Sequence, residues 1–196
     1  MGEGERLEVM RPGLRSAWIE LRRGDITTAR ADAIVNAANS QLAGGGGVDG
    51  AIHRAAGPEM MAELHARYAR CQTGSSVVTG PGRLADHGVK VVVHAVGPIW
   101  RGGEHNEPEL LESAYASAIF MADDAGAKSV ALPAISAGIY GYPLPQAAAI
   151  AVRTAGNGLA RAGNLDLAVF VLFSDDVYEA FGHALRDLAD EALGPR

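Results

Sequence analysis

The chain has 196 residues, of which 48% are hydrophobic and 20% are charged, and its formal net charge is −6. This composition supports a sizeable core and excludes a disordered protein. No uninterrupted apolar stretch reaches the ~18–20 residues that a membrane-spanning helix needs, so we expect no membrane association. The chain also lacks a cluster of Lys and Arg that could neutralise many phosphates, so general nucleic-acid binding is not expected.

Short β-rich segments alternate with helical segments along the chain. In chain order, strands are predicted at 18–21, 33–37, 75–79, 90–95, 129–132 and 167–173, and helices at 50–56, 59–70, 108–125, 144–159 and 177–193. Two of the strand segments are nearly all apolar, which is typical of strands covered on both faces. The alternation predicts an α/β fold, a three-layer α/β/α sandwich formed by one domain. Its core is expected to span about 16–193, with loosely held ends at 1–15 and 194–196.

The first predicted functional segment lies where the strand at 33–37 leaves the sheet. Asn36 and Asn39 stand at this exit, and ligands of open α/β sheets bind beyond the carboxyl ends of strands. The glycine run 44–47 frees the backbone to aim successive N–H groups at one point. Such a loop leading into a helix N-terminus can bind an anion without Lys or Arg. The alternative is a flexible turn in which Asp49 serves only as the helix N-cap.

Asp49 and His53 lie four residues apart and therefore share one face of the predicted helix. A carboxylate and an imidazole beside an anion-binding loop could orient or deprotonate a water molecule. The alternative is that His53 only fills space in the packing. The other histidines have no metal-ligand spacing with each other or with the single cysteine, Cys71, so no metal site is predicted.

A second glycine-containing loop, 133–143, also follows a buried strand and precedes a helix. Both loops should therefore lie on the same rim of the sheet, where they could hold a pyrophosphate with a sugar at either end. Tyr140 and Tyr142 are candidates for a ligand wall, although both could simply pack within the loop. A serine nucleophile elbow is not expected at Ser136, because Ala134 stands where that motif requires glycine.

Two general nucleotide-binding motifs are not supported. No Gly-Lys-Ser/Thr occurs, so a Walker A loop is absent from the sequence. Gly45, Gly47 and Gly50 match the letters of the dinucleotide fingerprint, but Arg70 stands where that motif needs an acidic residue. A nicotinamide-dependent oxidoreductase is therefore disfavoured, and no cofactor is predicted.

Taken together, these segments resemble a macrodomain of the MacroD type. The resemblance covers roughly 18–181 and is carried by the order and spacing of 24–27, 36–39, 44–57, 71–74, 94–98 and 136–142. It implies a three-layer α/β/α fold with a mixed central sheet and binding of ADP-ribose. It also implies hydrolysis of O-acetyl-ADP-ribose and of ADP-ribose esters on acidic side chains. Expected partners are ADP-ribose, its esters and mono-ADP-ribosylated proteins.

The same resemblance implies roles for individual residues. Asp25 would accept a hydrogen bond from the adenine amino group, Ile26 would supply a neighbouring amide, and Phe173 would stack on the base. Asn36 also counts among the expected ligand-binding residues. The pyrophosphate would be wrapped by main-chain N–H groups of Gly44, Gly45, Gly46, Gly47, Val48, Ser136, Ala137, Gly138, Ile139 and Tyr140.

The catalytic residues implied by the resemblance are Asp49, His53 and Asn39. Asp49 would position or activate the attacking water, with His53 as its supporting partner, and Asn39 would hold the distal ribose. The alternative function is a non-catalytic module that only reads ADP-ribose. The single cysteine and the lack of a signal-peptide core predict a cytoplasmic location.

Overall fold

A mixed sheet of seven strands runs through the computed structural model, which describes residues 5–11 and 13–193. The strands are β1 (Arg6–Val9), β2 (Ala17–Arg23), β3 (Ala33–Ala38), β4 (Ser76–Thr79), β5 (Val91–Val96), β6 (Ser129–Leu132) and β7 (Leu167–Leu172). The helices are α1 (Gly47–Ala56), α2 (Pro58–Arg67), α3 (Glu107–Asp124), α4 (Leu144–Arg161) and α5 (Asp175–Leu193). The predicted alternation of strands and helices is confirmed.

The strand order is β1-β2-β7-β6-β3-β5-β4, with antiparallel edge strands β1 and β4 and parallel pairing between the inner strands. Helices α3, α4 and α5 cover one face of the sheet and pack around Phe170. Helices α1 and α2 cover the other face, where Ile52 and Met60 pack with Ile34 and Val92. The three-layer fold with a mixed sheet is therefore confirmed.

Parallel pairing sends several connections to the same rim of the sheet. The loops that follow β3 and β6 leave neighbouring parallel strands, as predicted for the two glycine-containing loops. The connection after β5 leaves beside the first of them, because β5 pairs with β3 in parallel. This rim is where open α/β sheets bind their ligands.

The expectation of a loosely held amino-terminal segment is wrong for residues 6–11. Strand β1 pairs with β2, and the Arg11 side chain is buried at 3% exposure. It donates hydrogen bonds to the carbonyl oxygens of Ala162 and Leu165 and to Asp166 Oδ1, the last at 2.7 Å. A four-residue strand rich in charged residues is indistinguishable from a polar tail when only the local pattern is read. Residues 194–196, also predicted to be loose, lie outside the described residues.

We expect Arg11→Met to lower the free energy of unfolding by about 2–4 kcal/mol, because it leaves buried acceptors and one carboxylate without their donor. Arg15→Met is the matched control. The Arg15 side chain is 88% exposed and lies 3.7 Å from the same Asp166 carboxylate, so its loss should cost less than ~0.5 kcal/mol. Urea unfolding measures both variants. Equal losses would show that Arg11 does not anchor the segment.

Candidate active site

A cavity of about 400 Å³ opens at the carboxyl ends of β3 and β6. Both predicted loops line it, and the full lining comprises residues 37–39, 45–49, 97, 134–136 and 138–140. Within this lining there is no Lys or Arg, and five of its residues are glycines, which present only main-chain groups. This arrangement suits an anion held by amide N–H groups.

The first loop is folded tightly against the start of α1. The Asn39 side chain donates to the carbonyl of Gly44 at 2.8 Å and accepts from the Gln41 N–H, which fixes the loop from inside. A Cβ at Gly50 would lie 2.4 Å from the Gly45 carbonyl oxygen, so only glycine allows this approach. The loop therefore brings its amides and the first turn of α1 to one side of the cavity.

Helix α1 begins earlier than predicted, at Gly47 instead of Gly50, with Gly46 at the N-cap. Asp49 is therefore the third residue of the helix, and the alternative in which it serves as the N-cap is wrong. Gly47 enters the helix at φ +58°, a conformation that other residues rarely adopt. The first-turn N–H groups have no partner within the helix, so they can bind an anion from the cavity.

The second loop forms the opposite wall of the cavity. Ser136 adopts φ +65°, which is uncommon for a residue other than glycine, and its carbonyl accepts from the Tyr142 N–H at 3.1 Å. The exposed side chain of Ile139 reaches across to Gly46. Tyr140 lines the cavity, whereas Tyr142 is buried against Trp100 with ring centroids 4.6 Å apart. Of the two tyrosines, the loop-packing alternative therefore holds for Tyr142.

The two oxygens of Asp49 have different surroundings. Oδ1 accepts a 2.6 Å hydrogen bond from the Asn36 amide and lies 3.1 Å from His53 Nε2. Oδ2 faces the glycine loop, since a Cβ at Gly45 would lie 3.1 Å from it, and it has no hydrogen-bond donor among the described residues. One oxygen thus anchors the carboxylate, and the other is available to the cavity.

A buried chain of polar side chains continues from Asp49 into the sheet. The Asn36 Nδ2 group also lies 3.2 Å from His94 Nδ1, and His94 Nε2 lies 2.9 Å from Thr79 Oγ1. Because Asn36 Nδ2 can only donate, His94 Nδ1 must accept, and the His94 proton sits on Nε2. The imidazole is therefore neutral. Burial, together with the nearby His53, lowers the pKa of His94 to about 4 despite the opposing charges of Asp49 and Glu63.

Asn36, predicted to bind the ligand, does not line the cavity, so any contribution that it makes to binding would act through Asp49. Its side chain is 0% exposed and serves instead to hold Asp49. His94 and Thr79 also belong to this network, and the sequence did not predict either of them as a member. Asn36 and His94 are direct partners in the register of β3 with β5, a signal that only strand order could have supplied.

The residues predicted to bind adenine lie further along the rim, at the ends of β2 and β7. The Gly24 N–H donates to the Leu172 carbonyl at 3.0 Å, which brings the segments holding Asp25 and Phe173 together. Phe173 is 84% exposed, and Asp25 is exposed while its Oδ1 caps the following turn at Thr27. The Ile26 side chain is buried, so any contact of this residue with the base would use its main chain.

The remaining predicted residues lie close to the cavity wall without lining it. Gly44 and Ala137 belong to the two loops but do not line the cavity, and His53 lies beside Asp49, with its Nε2 3.1 Å from Asp49 Oδ1. Over the described residues, no three His, Cys, Asp or Glu side chains cluster in a way that could hold a metal ion. Within the same residues, no helix is both long and apolar enough to cross a membrane.

A family model and the sequence relatives of this chain indicate the same protein family. The Macro domain family model matches residues 35–151. An O-acetyl-ADP-ribose deacetylase of Salmonella gallinarum is 46% identical over 176 residues, which cover 88% of this chain and 97% of the relative. A macrodomain-containing protein of Caldanaerobacter subterraneus is 48% identical over 173 residues, 87% of this chain and 97% of the relative.

Solved structures agree with the sequence relatives. A macrodomain of Oceanobacillus iheyensis with ADP superposes with a TM-score of 0.82 at 34% identity, covering 97% of this chain and 100% of the other. A Trypanosoma brucei macrodomain in complex with ADP-ribose gives a TM-score of 0.77 at 39% identity, covering 85% and 68%.

The buried network around His94 predicts a specific pH dependence of stability. Unfolded His94 takes up a proton near pH 6.5, whereas the folded side chain resists protonation down to about pH 4. Between these two pH values only the unfolded state binds the proton. The contribution of His94 to the free energy of unfolding is therefore fully present above pH 6.5 and falls by up to about 3 kcal/mol as the pH falls towards 4.

Urea unfolding of the wild type and of His94→Gln between pH 7.5 and 4.5 measures this contribution. The wild type should lose stability more steeply than the variant across this window, because the variant lacks the titrating group. Parallel curves would show that His94 is not held neutral in the folded protein.

Proposed function

Since this chain belongs to the macrodomain family, we propose that it hydrolyses O-acetyl-ADP-ribose to ADP-ribose and acetate. We extend the proposal to removal of mono-ADP-ribose from acidic side chains of proteins. The observation that carries it is the Asp49 carboxylate, anchored through Oδ1 and facing a cationless, glycine-lined cavity through Oδ2. The names of the curated relatives support the same reaction.

In the proposed complex, ADP-ribose lies along the rim of the sheet. Adenine occupies the end near Asp25 and Phe173, and the pyrophosphate lies between the two loops. The distal ribose lies near Asn39 and Tyr140, beside Asp49. The helix N-terminus and loop amides would bind the pyrophosphate through short-range hydrogen bonds. The whole chain would act as one domain in the cytoplasm, where Cys71 would stay reduced.

In the proposed reaction, Asp49 Oδ2 positions a water molecule and takes up its proton. For attack at the acyl carbon, the water oxygen bonds to that carbon and its bond to the ribose oxygen breaks. The ribose oxygen takes the proton held by Asp49, and acetic acid leaves and ionises to acetate. For attack at the anomeric carbon, the water oxygen bonds to that carbon and the bond from that carbon to the ester oxygen breaks. The carboxylate then leaves with both of its own oxygens, and Asp49 releases its proton to solvent. Hydrolysis in ¹⁸O-labelled water distinguishes the two, because the label enters the carboxylic acid in the first case and ADP-ribose in the second.

We expect Asp49→Asn to lower kcat for acetate release by about 10²–10⁴-fold, because the amide can accept from Asn36 but cannot take up a proton. His53→Ala should cost less, since His53 only supports Asp49. The Kd for ADP-ribose, measured by calorimetry, should change less than about threefold in Asp49→Asn. Full turnover in Asp49→Asn would refute the proposed mechanism.

Binding and hydrolysis assays on the wild-type protein distinguish a hydrolase from a module that only binds ADP-ribose. A protein that binds ADP-ribose yet releases neither acetate nor ADP-ribose from a glutamyl ester would be a reader and not a hydrolase. The second substrate also tests the extension to proteins, since loss of that activity alone would limit the enzyme to the small ester.

The proposed contact between Asp25 and adenine can be tested by substitution of Asp25. Asp25→Asn keeps an oxygen to cap the turn at Thr27 but removes the charge, so it should raise the Kd for ADP-ribose by about 10-fold or more. Asp86→Asn, at another exposed position, is the control and should leave the Kd unchanged. Calorimetry measures both. An unchanged Kd in Asp25→Asn would remove Asp25 from the binding site.

A further inference from the structure

His94 is a buried histidine that the proposed reaction does not use. It is 0% exposed and does not line the candidate active site. It nevertheless contacts the Asn36 amide, which in turn holds Oδ1 of Asp49. Only one side chain therefore separates the His94 ring from the carboxylate that faces the cavity.

The Asn36 amide makes both of its hydrogen bonds through Nδ2. One N–H donates to Asp49 Oδ1 at 2.6 Å, and the other donates to His94 Nδ1 at 3.2 Å. The amide oxygen is buried and has no hydrogen-bond partner among the described residues, so it gives the amide no anchor. The orientation of the amide therefore depends on its two acceptors. Without His94, the amide would be held only by the carboxylate that it is meant to hold.

The tautomer of His94 has a support of its own. Burial lowers the pKa of the ring to about 4, so the ring is neutral at pH 7. Its Nδ1 can accept from Asn36 only when the proton is on Nε2. Thr79 Oγ1 lies 2.9 Å from Nε2, and Thr79 is 1% exposed on β4, the strand that pairs with β5. The Thr79 hydroxyl thus supplies the acceptor that this tautomer requires.

We propose that His94 and Thr79 are positioning residues for the hydrolytic reaction, which act through the Asn36 amide on the orientation of the Asp49 carboxylate. The inference rests on the proposed function and extends it to two side chains that do not line the cavity. With Oδ1 held by Asn36, Oδ2 stays directed at the glycine loop. Because attack by water depends steeply on alignment, a small rotation of the carboxylate lowers the rate and leaves the ligand-binding groups unchanged.

The experiment compares two variants of nearly equal size. His94→Asn keeps an oxygen near the position of Nδ1, which can accept from Asn36, whereas His94→Leu has a similar branched shape without an acceptor. Both variants lose the ring, so the effect of the missing ring on packing is matched between them. The kcat for acetate release and the Kd for ADP-ribose are measured well below the unfolding temperature, and the calorimetric stoichiometry gives the folded fraction.

We expect His94→Leu to lower kcat by about 10-fold or more and His94→Asn to keep kcat within about threefold of the wild type. The Kd for ADP-ribose should change less than about threefold in both variants, because His94 does not line the cavity. Equal kcat values in the two variants would overturn the positioning role of His94. A loss that appears in the Kd and not in kcat would also overturn it.

A second pair of variants tests Thr79 and gives a result even where His94→Leu does not fold. Thr79→Val replaces the hydroxyl by a methyl group and leaves the His94 Nε2–H without its acceptor, whereas Thr79→Ser keeps a hydroxyl. We expect kcat to fall about threefold or more in Thr79→Val and to stay within about twofold of the wild type in Thr79→Ser. Equal kcat values in this pair would overturn the role of Thr79.

Failure of the proposed hydrolysis is distinguished by measurements that need no turnover. If the wild type binds ADP-ribose but cleaves neither the acetyl nor the glutamyl ester, the proposed function fails. Crystal structures of the two His94 variants then test the positioning alone. We expect the Asn36 Nδ2 to Asp49 Oδ1 distance to stay near that of the wild type in His94→Asn and to exceed ~3.5 Å in His94→Leu. An Asp49 side chain in the same place in both variants would overturn the proposal.

The tautomer can be read in the wild type itself by ¹⁵N NMR of protein with labelled imidazole rings. This measurement distinguishes a protonated ring nitrogen from one with a free lone pair. We expect the His94 proton on Nε2 at pH 7. A proton on Nδ1 would overturn the role of both residues, because Nδ1 could then accept nothing from Asn36.

Discussion

The hydrogen bond from the Asn36 amide to Asp49 Oδ1 connects the centre of the sheet to the first turn of α1. The glycine loop lies between these two residues in the chain, so its path is fixed at both ends. His94 takes the second N–H of the Asn36 amide and brings β5 into the same support. The position of the carboxylate in the cavity is therefore set by the register of buried strands as much as by the loop itself.

Local sequence was enough to predict the features that depend on local physics. The apolar runs at β5 and β7 and the glycines before α1 each indicate their structure within a few residues. The role of Asn36 could not be found this way, because a strand-end asparagine has the same pattern whether it faces a ligand or a buried histidine. Strand β1 was missed for a similar reason: its stability comes from pairing with β2 and not from its own residues.

Amide groups give the candidate site a property that cations would not. The chain carries a net charge of −6, so a pyrophosphate gains no long-range attraction from it and must be held at contact distance. Backbone N–H groups and a helix N-terminus supply that contact without a mobile side chain. An arginine in the same place would pair with Asp49 and occupy the oxygen that faces the cavity. The cationless lining therefore keeps Oδ2 of Asp49 available.

Strand β1 also changes what the outside of the sheet presents to other molecules. Without it, the seven residues of β2 would form an edge with a row of unpaired N–H and C=O groups open to another chain. With it, the outermost strand is only four residues long and carries Arg6 and Glu8, two features that discourage strand addition. A version of the protein shortened to begin at Ser16 would keep every residue of the candidate site and still be prone to edge-to-edge aggregation.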